Sequence, residues 1–193
     1  GGSAGWSLTE DGTLTVSGTG AMEDYSDKSA QSWCGHADAI NSVIISDGIS
    51  HIGNRAFYGC SSLTEIALSN SVTNIGKFAF YGCKALTEIT ISNSVANIGG
   101  DAFFGCSALS EITIPNSVTS IWWNAFSGCT SLTKITIPDS VTSIRGGAFD
   151  GCYNLSDVYY GGSESDWSKI KIYDSNNCLT NAKIHFNSAM PET

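Results

Sequence analysis

Apolar positions in this chain follow two nested periods. Within short runs they alternate with polar residues: Ile66 and Leu68, Ile89 and Ile91, Ile112 and Ile114, Ile135 and Ile137, each pair announced three residues earlier by Leu63, Leu86, Leu109 or Leu132. Alternation at that spacing predicts a half-buried strand. Ile40, Val43 and Ile45 spell a weaker copy upstream. Each run ends in SNS, PNS or PDS, turn residues that bond their own backbone. Val72 and Ile75, with equivalents in every copy, then predict a second extended segment on the opposite side of a coil. The closing AF-x-GC stretch is too short for a long helix and is expected to form a single helical or 3₁₀ turn.

The outer period is 23 residues, marked by Cys60, Cys83, Cys106, Cys129 and Cys152. One unit cannot bury its Leu, Ile, Val, Ala, Phe and Cys alone, because its core face is open on both sides, so the units must stack. A repeat of roughly 20–29 residues predicts a solenoid of leucine-rich type, with neighbouring strands about 4.8 Å apart. The expected architecture is a right-handed, curved leucine-rich repeat solenoid with short strands, short helical or 3₁₀ turns, and five copies across residues 40–154.

Both ends leave the pattern, as caps must. GWSLTEDGTLTVS, residues 5–17, is two alternating runs around Asp11-Gly12, a hairpin signal. Trp6, Leu14, Val16 and Trp33 are placed to roof the first copy, so residues 1–39 form the N-terminal cap. Beyond residue 154, Leu155 and Val158 keep the opening spacing, but Tyr159-Tyr160-Gly161-Gly162 replaces the turn. Trp167, Ile170, Ile172, Leu179, Ile184 and Phe186 then carry a diverged C-terminal cap over 155–187, expected to add two strands, and 188–193 is a tail. The expectation is one domain of 193 residues whose lids keep it monomeric.

The unit L-x-x-I-x-I-P-x-S-V-x-x-I-G-x-x-A-F-x-G-C resembles the BspA-like, or Treponema pallidum type, leucine-rich repeat. Ser17-Gly18-Thr19-Gly20-Ala21-Met22 resembles the entry segment of such domains; Val158 to Gly162 through Trp167, with Ile184-His185-Phe186, resembles their exit segment. The resemblance implies a bacterial module, secreted or displayed at the cell surface, that serves adhesion and host interaction through protein binding, some relatives binding host matrix proteins. It brings no enzymatic activity and no cofactor.

Eighteen acidic against nine basic residues, a net charge of −9, exclude nucleic acid as a partner, since phosphate must be neutralised by clustered Lys and Arg. No apolar run approaches the ~18 residues of a membrane span. The chain opens with Gly-Gly and shows no signal peptide, as expected of a mature segment whose export signal has been removed.

Seven cysteines raise the question of disulfides. Equivalent residues one rung apart satisfy the Cα spacing a bridge needs, but five cannot pair completely, and each follows a core phenylalanine by three residues. They are read as reduced packing residues. Cys34 and Cys178 fall off the ladder, in the caps. His36, His51 and His185 lie in unrelated segments; Cys34-x-His36-x-Asp38 is the sole approach to a metal cluster and is read as coincidence, leaving no metal or catalytic site.

Function is sought where the copies disagree. The outward third position reads Ser42, Glu65, Glu88, Glu111, Lys134, Asp157, which is either a solvated face or a strip for a basic partner. The fifth position, Ile44, Ala67, Thr90, Thr113, Thr136, Tyr159, small and threonine-rich in the middle, predicts a flat surface without a pocket. Gly53, Gly76 and Gly99 mark a turn expected to need a positive φ, yet Trp122 and Arg145 occupy that place in the fourth and fifth copies. Trp123 follows directly, and Phe78 stands one step further along in its own copy. The tryptophan pair either packs on a neighbouring rung or stands exposed as a recognition surface for protein or glycan. Tyr58, Tyr81 and Phe104 form a further stripe. Three readings stand: an adhesion module, a structural spacer in a larger surface protein, and a carbohydrate-binding module using Trp122 and Trp123.

Overall fold

The 23-residue period becomes one turn of a coil, and each turn has three sides. The computed structural model describes residues 4–27, 31 and 33–191. In chain order its strands are β1 (Ala4–Leu8), β2 (Thr13–Gly18), β3 (Gly20–Ala21), β4 (Ser42–Ile45), β5 (Ile49–Ile52), β6 (Glu65–Leu68), β7 (Asn74–Ile75), β8 (Asn97–Ile98), β9 (Glu111–Thr113), β10 (Ser120–Ile121), β11 (Lys134–Ile137), β12 (Ser143–Ile144), β13 (Asp157–Tyr160), β14 (Lys171–Ile172) and β15 (Lys183–Phe186). Two short helices, α1 (Glu164–Trp167) and α2 (Asn177–Thr180), lie near the C-terminus.

The first side of the coil is a column of parallel strands, β2-β4-β6, which a single bridge from Ala67 to Thr90 extends by one rung, and then β9-β11-β13-β15. The second side carries β3-β5-β7-β8 and then β10-β12-β14. Register is strict, Val43 beside Ile66 and Ile135 beside Val158, so like stacks on like. The third side is laddered as well: Phe57 N–H donates to the Ala79 carbonyl at 2.8 Å, Phe80 to Ala102 at 2.8 Å, Phe103 to Ala125 at 2.8 Å and Phe126 to Ala148 at 2.9 Å.

AF-x-GC forms a single tight turn, as expected, and goes no further. Hydrogen bonds such as Cys60 N–H to the Phe57 carbonyl span three residues, as in a 3₁₀ turn, but left-handed residues at both ends, Arg55 and Gly59 in the first copy, stop any helix from propagating. Phe57, Phe80, Phe103, Phe126 and Phe149 are fully buried and stack at 5.2–5.5 Å, a column that Trp33 continues at 5.6 Å from Phe57. Cys60, Cys83, Cys106, Cys129 and Cys152 are buried free thiols beside it. From Cys83 onward each Sγ donates to the phenylalanine carbonyl of the preceding rung at 3.1–3.3 Å. Burial pushes the Cys60 and Cys152 thiols up to about 12, and those between them well above their ordinary value.

Asp11-Gly12 turns the β1–β2 hairpin, and β2 lies parallel on β4. Leu14, Val16 and Trp33 are buried over the first copy, whereas Trp6 is 40% exposed and meets Trp33 edge-on at 6.1 Å. At the other end Asn176 substitutes for a missing rung: its Oδ1 accepts from Phe149 N–H at 3.1 Å, and its Nδ2 donates to the carbonyls of Arg145 and Tyr173 at 2.9 and 2.8 Å. Ser163 and Asp166 form a capping box that starts α1, and Trp167 packs edge-on against buried Tyr160 at 5.1 Å.

Candidate binding groove

The glycines after the second strand serve a purpose different from the expected one. None of Gly53, Gly76 and Gly99 has a positive φ; a Cβ at Gly76 would lie 2.7 Å from Asn54 N, and at Gly99 2.7 Å from Lys77 N. They are glycines because one rung's backbone sits directly on the next. The left-handed conformation falls two residues later, at Arg55, Phe78, Asp101, Asn124 and Gly147, and again at the glycine before each ladder cysteine.

Trp122 stands where its predecessors need glycine, and the coil opens to admit it. Ala96 and Gly99 donate to Thr73 and Ile75 one rung back, and Thr142 and Arg145 to Thr119 and Ile121; among the described residues Thr119 and Trp122 make no such bonds. The second column is therefore broken between β8 and β10. The first column breaks beside it, since residues 88–91 form no strand and touch the ladder only at Thr90. The third side stays bonded through this seam, Asp101 N–H to Trp123 O at 2.9 Å and Gly105 N–H to Ser127 O at 2.8 Å.

A groove of about 500 Å³ crosses the rungs from His51 and Asn54 to the seam. Trp122 and Trp123 line its end at the seam, Phe78 lines it two rungs back, and Gly76, Gly99 and Gly100 leave the floor bare of side chains. Trp123 is 52% exposed while Trp122 is half-buried, so the pair both packs and presents a surface. Their rings are 5.5 Å apart and tilted by 55°. Arg145 backs both, its guanidinium carbon 5.6 and 5.5 Å from the two ring centres, and is held from the C-terminal cap by a 2.9 Å bond from Nη1 to the Tyr173 hydroxyl. Phe78 has a φ of +58°, a conformation that costs a bulky residue roughly 1–3 kcal/mol. Arg55 lies 4.7 Å over its ring.

Three asparagines complete the lining, unnoticed in the sequence because they belong to the second strand and the turn after it. Asn97 Nδ2 donates to Asn74 Oδ1 at 2.8 Å, and Asn54 Oδ1 accepts from Lys77 N–H at 2.6 Å. Their signal was a column reading His51, Asn74, Asn97, Ser120, Ser143 at one outward position. The Tyr58, Tyr81 and Phe104 rings stack at 4.6 and 4.7 Å, and Tyr81 lies 6.0 Å from Phe78, so the aromatic surface continues around the corner from the groove.

The acidic strip lies elsewhere, on the first column, and is not uniform. Lys134 Nζ meets Glu111 at 2.8 Å, which raises the lysine's pKa, and Asp157 meets His185 at 2.7 Å. Glu65 and Glu88 remain without an ion partner among the described residues. The surface expected to be flat holds a shallow depression of about 260 Å³ lined by Ile44, Ala67 and Thr90 with the two glutamates, because the ladder loosens at residues 88–91. Among the described residues no three His, Cys, Asp or Glu side chains gather as metal ligands, and no helix is long and apolar enough to cross a membrane. The Cys34 side chain lies outside the described residues.

The sequence profile of the BspA type leucine rich repeat region matches residues 31–156 in six copies. The structure is similar to that of a leucine-rich repeat protein from Eubacterium ventriosum, with a TM-score of 0.75 and 33% identity over 84% of this chain and 42% of that one. The Treponema pallidum leucine rich repeat protein gives 0.64 and 26% over 80% and 78%, and a leucine rich cell surface protein from Faecalibacterium prausnitzii 0.62 and 28% over 81% and 52%. The chain thus spans less than half of the Eubacterium protein's length. No curated protein matches it significantly.

Proposed function

Because the chain belongs to the BspA-type leucine-rich repeat family, we propose that it is a non-enzymatic, extracellular or surface-displayed adhesion module that holds a macromolecular partner in the groove beside Trp122 and Trp123. One observation carries this reading. Three aromatic residues stand where the repeat's own physics disfavours them, Phe78 in a left-handed conformation, Trp122 in a glycine site, Trp123 in solvent, and all three line the same groove. A chain selected for stability alone would hold glycine or a polar residue at each. A large indole beside bare backbone is also the kind of anchor that dominates binding energy at interfaces.

A panel of immobilised extracellular-matrix proteins tests the reading. The wild type is expected to bind at least one saturably, and Trp122→Ala/Trp123→Ala to lose most of that binding while keeping its fold. No binding by either protein would leave the spacer reading in its place.

A further inference from the structure

We propose that the ligand of this groove is an uncharged, hydroxyl-rich saccharide chain. The inference rests on the groove being the binding site, and three features of the lining narrow the chemistry.

The first is charge. The chain carries −9 overall, yet among the groove's walls Lys77 and Asp101 offset one another. A basic peptide would find better complementarity at Glu65 and Glu88, and an anionic polymer would be repelled by the net charge.

The second is the disposition of polar atoms. Asn97 spends its Nδ2 on Asn74, leaving its Oδ1 as an acceptor without a donor among the described residues; Asn54 spends its Oδ1 on Lys77 N–H, leaving its Nδ2 as a donor. A sugar hydroxyl is donor and acceptor at once and answers both. An extended peptide would instead seek a strand edge. The floor here is a turn, where Gly76 and Gly99 already donate to Ile52 and Ile75.

The third is the aromatic platform. The two indoles are tilted by 55° rather than stacked, so neither covers the other's face, and the Arg145 guanidinium lies 5.6 and 5.5 Å from their centres. The free faces suit the C–H face of a pyranose ring, and the glycine floor lets a ring approach the backbone. The volume, about 500 Å³, falls within the roughly 300–1,000 Å³ of small-ligand sites.

The test titrates cellohexaose, chitohexaose and mannohexaose into the wild type, into Trp123→Ala, whose side chain is largely in solvent, and into Phe78→Gly, which removes the aromatic wall while relieving the left-handed strain and so keeps the coil intact. Expected is saturable binding of at least one hexasaccharide with a change in tryptophan emission, insensitive to salt, and weakened about tenfold or more in both variants. Matrix-protein binding that Trp123→Ala abolishes, but that no hexasaccharide competes with and deglycosylation leaves unchanged, would overturn the saccharide and keep the groove. Hexasaccharide binding undiminished in both variants would overturn the groove as the site. Failure of every saccharide and every protein to bind would overturn both.

Discussion

A methyl group added at Gly76 would lie 2.7 Å from a backbone nitrogen of the preceding rung, closer than real Cβ contacts allow. Gly76→Ala should therefore lower stability by about 1–3 kcal/mol, as overpacking against a backbone that cannot retreat does; thermal unfolding checks it. The cysteines make the complementary case. With thiols buried and their ionisation pushed up, the five ladder cysteines should ignore a thiol reagent in the native state. Native protein should titrate at most two thiols, Cys34 and Cys178, and unfolded protein all seven. More than two native thiols would mean that the thiol column breathes. Burial of the cysteines was legible in sequence, because a small residue three positions after a core phenylalanine has one place to go. The role of Gly76 was not. A glycine needed for close approach and one needed for positive φ are spelled alike, and only the distance between rungs separates them. Nor could sequence reveal that Phe78 is left-handed, since its counterparts are Arg55, Asp101, Asn124 and Gly147.

Strand ladders were predicted where apolar residues alternate, and most appear there. The prediction fails at residues 88–91, whose alternation, Ile89 and Ile91, is as good as any other copy's. Glu88 follows Glu65 by one rung with no cation between them, and Trp122 holds the next rung away from Gly99. Neither cause is visible in a single repeat, because each acts between repeats. Two measurements follow. Thr119 and Trp122 amides should exchange with solvent faster than Ala96, Gly99, Thr142 and Arg145, their bonded equivalents; equal protection would mean that the second column is intact. Glu88→Gln should raise stability by about 0.5 kcal/mol at low salt, and by less at high salt, by removing a like-charge neighbour. The groove itself was half legible. Trp122, Trp123 and Phe78 announced themselves by breaking the pattern, while Asn54, Asn74 and Asn97 fitted it too well to be noticed.

The molecule as a whole is a stack closed at both ends, and its C-terminal closure is held partly by ionised carboxylates. The His185 hydrogen bond beside Asp157 lowers that carboxyl from its ordinary 3.8, and the Lys169 bond takes Asp166 down to about 2. Both groups titrate lower folded than unfolded, so the stability they confer is complete above the unfolded value. It is lost as pH falls from about 4 toward 2. In that window amides of the cap, Lys169 and Ile170 among them, should lose exchange protection before those of the central rungs; simultaneous loss would show that the cap and the stack unfold as one. The break between the third and fourth rungs has a mechanical side too. Elsewhere strand bridges on two sides help fasten a turn of the coil to the next, but here neither side has one, and the backbone is held chiefly along the line of the phenylalanines. A solenoid pulled from its ends bears tension equally at every cross-section and yields at the one with the fewest fasteners. The yielding is a bend, with the bonded side as the spine and the other two sides parting like pages. Traction along the coil would thus be felt first as a widening of the space between Phe78 and the tryptophans.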